Sequence, residues 1–149
     1  MKESRWMRLT FGAYYAIMIY LLFLQRLGHA QVLWEQKALY WQYVGESLNL
    51  LPSKTVAAYL AAMGHDALIN LGGNIVMFVP LGFFVPSRWE SLHSFRKSML
   101  ACALMILAVE LAQLFTLCGR GDIDDFLLNM LGAALGYGVF ALWEKIRLQ

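Results

Sequence analysis

Charge is scarce in this chain. Lys, Arg, Asp and Glu make up 15% of its 149 residues, where soluble domains carry about 25%. So little charge excludes a freely soluble globule, and a formal net charge of +2 is too small to imply a nucleic acid partner. Cysteine is scarcer still. Cys102 and Cys118 stand 16 residues apart at opposite ends of one apolar stretch. That is roughly 24 Å along a helix, far outside disulfide reach, so they read as small apolar fillers rather than a disulfide framework. No zinc-ligand spacing and no phosphate-binding glycine loop is present. No metal ligands are therefore assigned, and no cofactor can be named. Internal repeats and low-complexity tracts are absent as well.

What is present in quantity is apolar side chain. The chain is 60% hydrophobic with eight Met, nine Phe and five Trp, and its mean hydropathy is +0.54. Four segments, at about 9–24, 68–85, 99–117 and 126–143, approach the roughly 20 residues that cross about 30 Å of hydrocarbon. Inside a bilayer the backbone must satisfy itself, which selects helix. The expectation is an all-α, polytopic membrane protein: one domain over 1–149, with four transmembrane helices and an interfacial helical outer loop. Lys2, Arg5 and Arg8 precede the first segment. Arg88, Arg96 and Lys97 lie between the second and third, and Lys145 and Arg147 follow the fourth. The positive-inside rule then places both termini in the cytoplasm. Gly28-His29-Ala30 has the small-x-small pattern of a signal-peptide cleavage site, but the apolar run before it is long for that purpose.

The 25–67 loop is more than a linker. Trp34, Ala38, Trp41 and Leu48 fall at helical spacing, which fits a helix lying in the interface or packing over the bundle top. Pro52 then interrupts the pattern. Ser53 is a candidate cap for a short helix from Lys54 to Met63, with Gly64 as its stop. Pro80 should kink the second span near Met77. Gly72, Gly73 and Gly82 in that span, and the Gly132-x-x-x-Gly136 pair in the fourth, permit close helix packing, most simply within the bundle.

Polar side chains inside a membrane are costly and usually face the bundle interior. This chain has a defined set. Asn70 and Asn74 share a face of the second span, Glu110 and Gln113 of the third, and Asp125 and Asn129 of the fourth. By the helix rise, Glu110, Asn74 and Asn129 lie roughly 10, 9 and 5 Å below the outer ends of their spans. They therefore converge on one outward-facing polar pocket, roofed by Arg120-Gly121-Asp122-Ile123-Asp124-Asp125. Asp122 or Asp124 can cap the fourth helix, and Arg120 can pair with a carboxylate. Those structural uses do not account for Glu110 or Asn129, which are not at helix ends. Glu110, Asp122 and Asp125 are the candidate catalytic residues. Asn74, Gln113, Arg120, Asp124 and Asn129 are the candidate ligand-binding residues. A carboxylate such as Glu110 suits general acid or base work, oxygen ligands suit a hard cation, and Arg120 suits a phosphate or carboxylate. His65-Asp66 lies just outside the second span and reads more simply as a loop contact.

Taken together, these motifs resemble the VanZ-like family of small bacterial membrane proteins. The carriers are Asn49-Leu50-Leu51-Pro52, Asn74-x-x-x-Phe78-x-Pro80-x-Gly82-Phe83 and Glu110-x-x-Gln113. They continue as Gly119-Arg120-Gly121-Asp122-Ile123-Asp124-Asp125-x-x-x-Asn129-x-x-Gly132-x-x-x-Gly136, with Gly121 where the family often has Ser or another small residue. The resemblance implies a multi-pass protein of the bacterial cytoplasmic membrane. The family takes its name from a member linked to low-level glycopeptide resistance, teicoplanin in particular, and brings no settled reaction, substrate or cofactor. The expected partners are membrane lipid and a lipid-linked envelope precursor, with no oligomeric state fixed. Three functions compete: headgroup binding, a membrane-embedded hydrolase or transferase using Glu110, and a structural or assembly role.

Overall fold

The structure is a computed structural model of the chain that describes residues 5–27, 34, 39–62 and 65–149. Gly28-His29-Ala30, residues 35–38 of the expected loop helix, and Gly64 lie outside the described residues, as do the side chains of His65 and Asp66. The elements are α1 (Arg5–Leu22), a 3-10 turn (Leu24–Arg26), α2 (Tyr40–Glu46), β1 (Leu48–Asn49), α3 (Lys54–Ala62), α4 (His65–Arg88), a 3-10 turn (Glu90–Leu92), α5 (Phe95–Thr116), β2 (Gly121–Asp122) and α6 (Ile123–Arg147). The two-residue strands β1 and β2 pair with each other.

Three helices are long and apolar enough to cross a membrane: Ile69–Arg88 within α4, Phe95–Thr116 and Ile123–Arg147. At 1.5 Å per residue they reach about 30, 33 and 37 Å, enough for the hydrocarbon core. The first expected span is shorter. Its apolar helix covers Arg8–Leu22, about 22 Å, because the chain leaves α-helical geometry at Phe23 and tightens into a 3-10 turn at the polar pair Gln25-Arg26. The helix α4 remains helical through both Pro80 and Pro86.

The chain divides into two compact units. The first comprises Met1–Leu48 and Leu111–Gly121. Its core gathers Val44 of α2 with Leu114, Leu117 and Cys118, and Phe23, Tyr40 and Tyr43 pack around them. The Tyr40 hydroxyl donates to the Phe115 carbonyl at 2.6 Å, while Trp41 on the opposite face stays 71% exposed. The packed face, Tyr40 and Val44, is not the expected one: of Trp34, Ala38, Trp41 and Leu48, the described Trp34, Trp41 and Leu48 are all exposed. Leu117 ends α5 in a left-handed conformation (φ 54), a costly choice for a residue with a Cβ. Gly119 N then donates back to the Gln113 carbonyl at 3.3 Å.

The second unit comprises Asn49–Glu110 and Asp122–Gln149, and the α4–α6 pair dominates its packing. Phe78, Leu81, Val85, Ile106, Ala133 and Phe140 are buried there. Three glycines decide how close the two helices come. A Cβ on Gly132 would fall inside the Ile75 carbonyl, one on Gly136 inside the Val79 carbonyl, and one on Gly82 inside the Ala133 carbonyl. The Gly132-x-x-x-Gly136 face is therefore occupied by α4. The opposite stripe of α6, formed by Leu127, Leu131, Leu135, Val139, Leu142 and Ile146, is exposed, as a lipid-facing side requires. Near the C-terminal end, Tyr137 donates to the His93 carbonyl at 2.7 Å, and His93 Nδ1 lies 3.1 Å from Glu144 Oε1.

Candidate functional site

The sequence Asp122-Ile123-Asp124-Asp125 opens α6, and its three carboxylates divide between two places: Asp122 and Asp124 hold the 49–56 segment, and Asp125 meets α4. Asp122 is the N-cap. It has extended backbone (φ −114, ψ 122), and its side chain accepts from Asp124 N at 2.9 Å. Its oxygens also accept from Asn49 Nδ2 at 3.2 Å and from the Thr55 hydroxyl at 2.5 Å. Asn49 Nδ2 also lies 3.1 Å from Thr55 Oγ1.

Asp124 meets backbone amides of the same segment. Its Oδ1 accepts from Ser53 N at 2.6 Å, and its Oδ2 accepts from Thr55 N at 2.8 Å and Val56 N at 3.1 Å. These are donors that a helix N-terminus leaves unpaired. The sequence nominates Ser53 as the cap of α3, but the acceptor that closes its first turn is the distant carboxylate of Asp124. Ser53 itself is held at φ 67, a conformation that costs a non-glycine residue about 1–2 kcal/mol. The bond from its amide to Asp124 offsets that cost. The contributions of Asn49 and Thr55 are not visible in their side-chain types alone. The signal for Thr55 is a hydroxyl just after Pro52-Ser53, at the head of a short helix.

Asp125 and Asn129 stand one turn apart on α6. Asn74 Nδ2 of α4 donates to Asp125 Oδ1 at 2.6 Å, and Asp125 makes further contacts. Asn129 Nδ2 donates to Glu110 Oε1 of α5 at 2.9 Å. Glu110 is 7% exposed and Asn129 3%. The Asn129 Oδ1 atom is buried and accepts no hydrogen bond among the described residues. Each carboxylate is thus met by an amide from a different helix, Asp125 in the first turn of α6 and Glu110 six residues before Thr116, the end of α5. Asn70, by contrast, is exposed.

Gln113 and Arg120 belong to the first unit. Gln113 is buried, its Nε2 donates to the Leu22 carbonyl at 3.3 Å, and Gly119 sits where a Cβ would press on the Gln113 side chain. Arg120 is exposed and takes part in no ion pair among the described residues. The expected Arg120–carboxylate pair is therefore not seen. Glu110 and Gln113 share a face of α5 but go to different partners. Among the described residues, no three His, Cys, Asp or Glu side chains gather closely enough to hold a metal ion.

Three helices long and apolar enough to cross a membrane, with carboxylate–amide pairs between helices, define a helical membrane protein. The model of the VanZ/LLP1 family matches residues 11–144, and the chain belongs to that family. No curated protein and no solved structure matches it.

Proposed function

We propose that the chain is an integral protein of the bacterial cytoplasmic membrane that binds the headgroup of a lipid-linked or glycan/phosphate envelope compound. The reading treats the chain as one membrane domain, with α1 as a fourth span and both termini in the cytoplasm. The single match from 11 to 144 and the distribution of Lys and Arg support it. Glu110, Asn129, Asn74 and Asp125 of the second unit fix hydroxyl or amide groups of the ligand; Arg120, exposed on the first unit, has the chemistry of a separate phosphate or carboxylate contact. Asp122 and Asp124 act as positioning residues, because their oxygens already hold the 49–56 segment.

The observation that carries the reading is the Glu110–Asn129 pair, with the Asn129 Oδ1 atom left without a donor among the described residues. A buried acceptor left unmade costs about 1–3 kcal/mol. Polar groups held at such cost inside a membrane mark functional positions. The second reading, a hydrolase or transferase acting on the same headgroup, rests on Glu110 as an acid or base whose orientation Asn129 fixes. The third, an assembly role, would need the Gly132/Gly136 face, which α4 already occupies.

Native mass spectrometry of the purified protein with its co-purifying lipids tests the binding reading. A specific bound species should be retained by wild type and weakened by Glu110→Gln. Absence of any specific species from wild type overturns it. The enzyme reading instead requires Glu110→Gln to keep the bound species and lose all turnover.

A further inference from the structure

The segment Asn49-Leu50-Leu51-Pro52-Ser53 has an exposed tip that the carboxylate–amide pairs do not explain. Leu50 and Leu51 are 66% and 64% exposed, two adjacent large apolar side chains left uncovered among the described residues. Their exposure does not come from a loose loop. Asn49 is bonded to Asp122 on one side, and Ser53 N to Asp124 on the other. The Asn49 Oδ1 atom also accepts from Leu51 N at 3.4 Å, and Pro52 restricts Leu51 to extended conformations. The loop is thus clamped at both ends to the head of α6.

That clamp fixes its height in the bilayer. From Ile123 to Trp143, α6 rises about 30 Å, the thickness of the hydrocarbon core. The next residues, Glu144, Lys145 and Arg147, are charged and stay at the polar boundary. With that end in place, Ile123 reaches the opposite boundary, and Asp122 and Asp124 sit at the hydrocarbon edge. Leu50 and Leu51 hang from those two aspartates. Lys54 follows them, exposed at the start of α3, where an ammonium can meet lipid phosphate while its stem lies along apolar surface. Further along α3, Leu60 is also exposed.

We propose that Leu50 and Leu51 form a wedge that enters the bilayer leaflet on the Asp122 side, with lipid acyl chains as its occupant and Lys54 paired with lipid phosphate. Bilayer cover would remove two leucines from water at a level where acyl chains are within reach. The inference is independent of any ligand at Glu110.

The test uses the full chain carrying Leu50→Cys or, separately, Leu51→Cys, labelled with a polarity-sensitive fluorophore. The native thiols are buried, and wild type serves as the labelling control. Each variant is reconstituted into phosphatidylcholine–phosphatidylglycerol vesicles with and without spin-labelled phosphatidylcholine. Both labels should emit at shorter wavelength than free dye, lose most of their intensity to the spin-labelled lipid and resist aqueous iodide. Emission typical of water with full iodide quenching at both positions overturns the wedge. Shielding from both iodide and lipid overturns it too, since it would mean that protein, from a second copy or another partner, covers the leucines.

Discussion

Replacing Asp124 with alanine should uncouple α3 from α6 while leaving α6 itself intact. The wild-type carboxylate is 2% exposed and closes three backbone amides, those of Ser53, Thr55 and Val56, at 2.6, 2.8 and 3.1 Å. A hydrogen bond to a charged group contributes about 1.5–3 kcal/mol, and loss of an N-cap costs about 1 kcal/mol. The three bonds share one acceptor, and water can reach part of the 53–56 turn, so they are not additive. About 3 kcal/mol is the expected loss, on the order of a hundredfold in the local opening equilibrium. Hydrogen exchange by mass spectrometry on the protein in micelles reads this directly. Amides in 53–60 should exchange on the order of a hundredfold faster, or at the intrinsic rate if α3 has less protection than that to lose. Amides in the middle of α6 should be unchanged, because Asp122 still caps that helix. Asp124→Asn should fall close to alanine: one amide oxygen remains, but the new NH2 turns a donor toward backbone donors. Unchanged exchange at 53–60 in Asp124→Ala would refute the account of how the loop is held.

Other substitutions separate tight packing from weak surface pairing. Gly136→Ala puts a Cβ inside the Val79 carbonyl. It should lower thermal stability by about 1–3 kcal/mol through overpacking, despite the gain of about 0.5–1 kcal/mol in helix propensity; a rise in the unfolding midpoint would contradict this. Gly132→Leu should be worse and should prevent accumulation of folded protein, measured as the monodisperse fraction on size exclusion. Glu144→Gln removes the half-exposed partner of His93 and should cost under about 1 kcal/mol, less at high salt; a loss of several kcal/mol would mean that the pair does more than the structure indicates.

Much of the architecture is legible in the sequence because its signals are local. Apolar run length marks the three long helices, and the glycine spacing marks the α6 face that meets α4. The carboxylate–amide pairs are also legible, since i, i+4 spacing puts Asp125 and Asn129 on one face and membrane burial demands partners for both. What the sequence hides is which partner each acid takes. Asp122, Asp124 and Asp125 look interchangeable as text, yet Asp122 is a cap with extended backbone and turns with Asp124 to the 49–56 segment, while Asp125, about 100° around the helix from Asp124, turns to α4. Ser53 carries the ordinary residue type of a cap, and that local rule is overridden by an acceptor 71 positions away in the chain. The first apolar helix ends two residues before its expected bound for a related reason: hydropathy continues through Phe23 and Leu24, but α-helical geometry gives way there to a 3-10 turn.

The glycines and the polar pairs belong to one argument. Along α6, Asp125, Asn129, Gly132 and Gly136 recur at steps of 4, 3 and 4, a single stripe on the buried side. Its lower half has no side chains, so the Ile75 and Val79 carbonyls of α4 come into direct contact there. Asn74 is the residue before Ile75, and its short side chain spans to Asp125 at 2.6 Å. An asparagine reaches across two helices only where their backbones are this close. Separation by the diameter of a methyl group at Gly132 would pull the Asn74 amide out of range and leave Asp125 without it. The small residues are thus part of the polar site: they set the interhelical distance at which an amide on α4 can answer a carboxylate on α6. By contrast, α5 has no comparably close seam with α6, and there the longer Glu110 side chain makes the reach to Asn129.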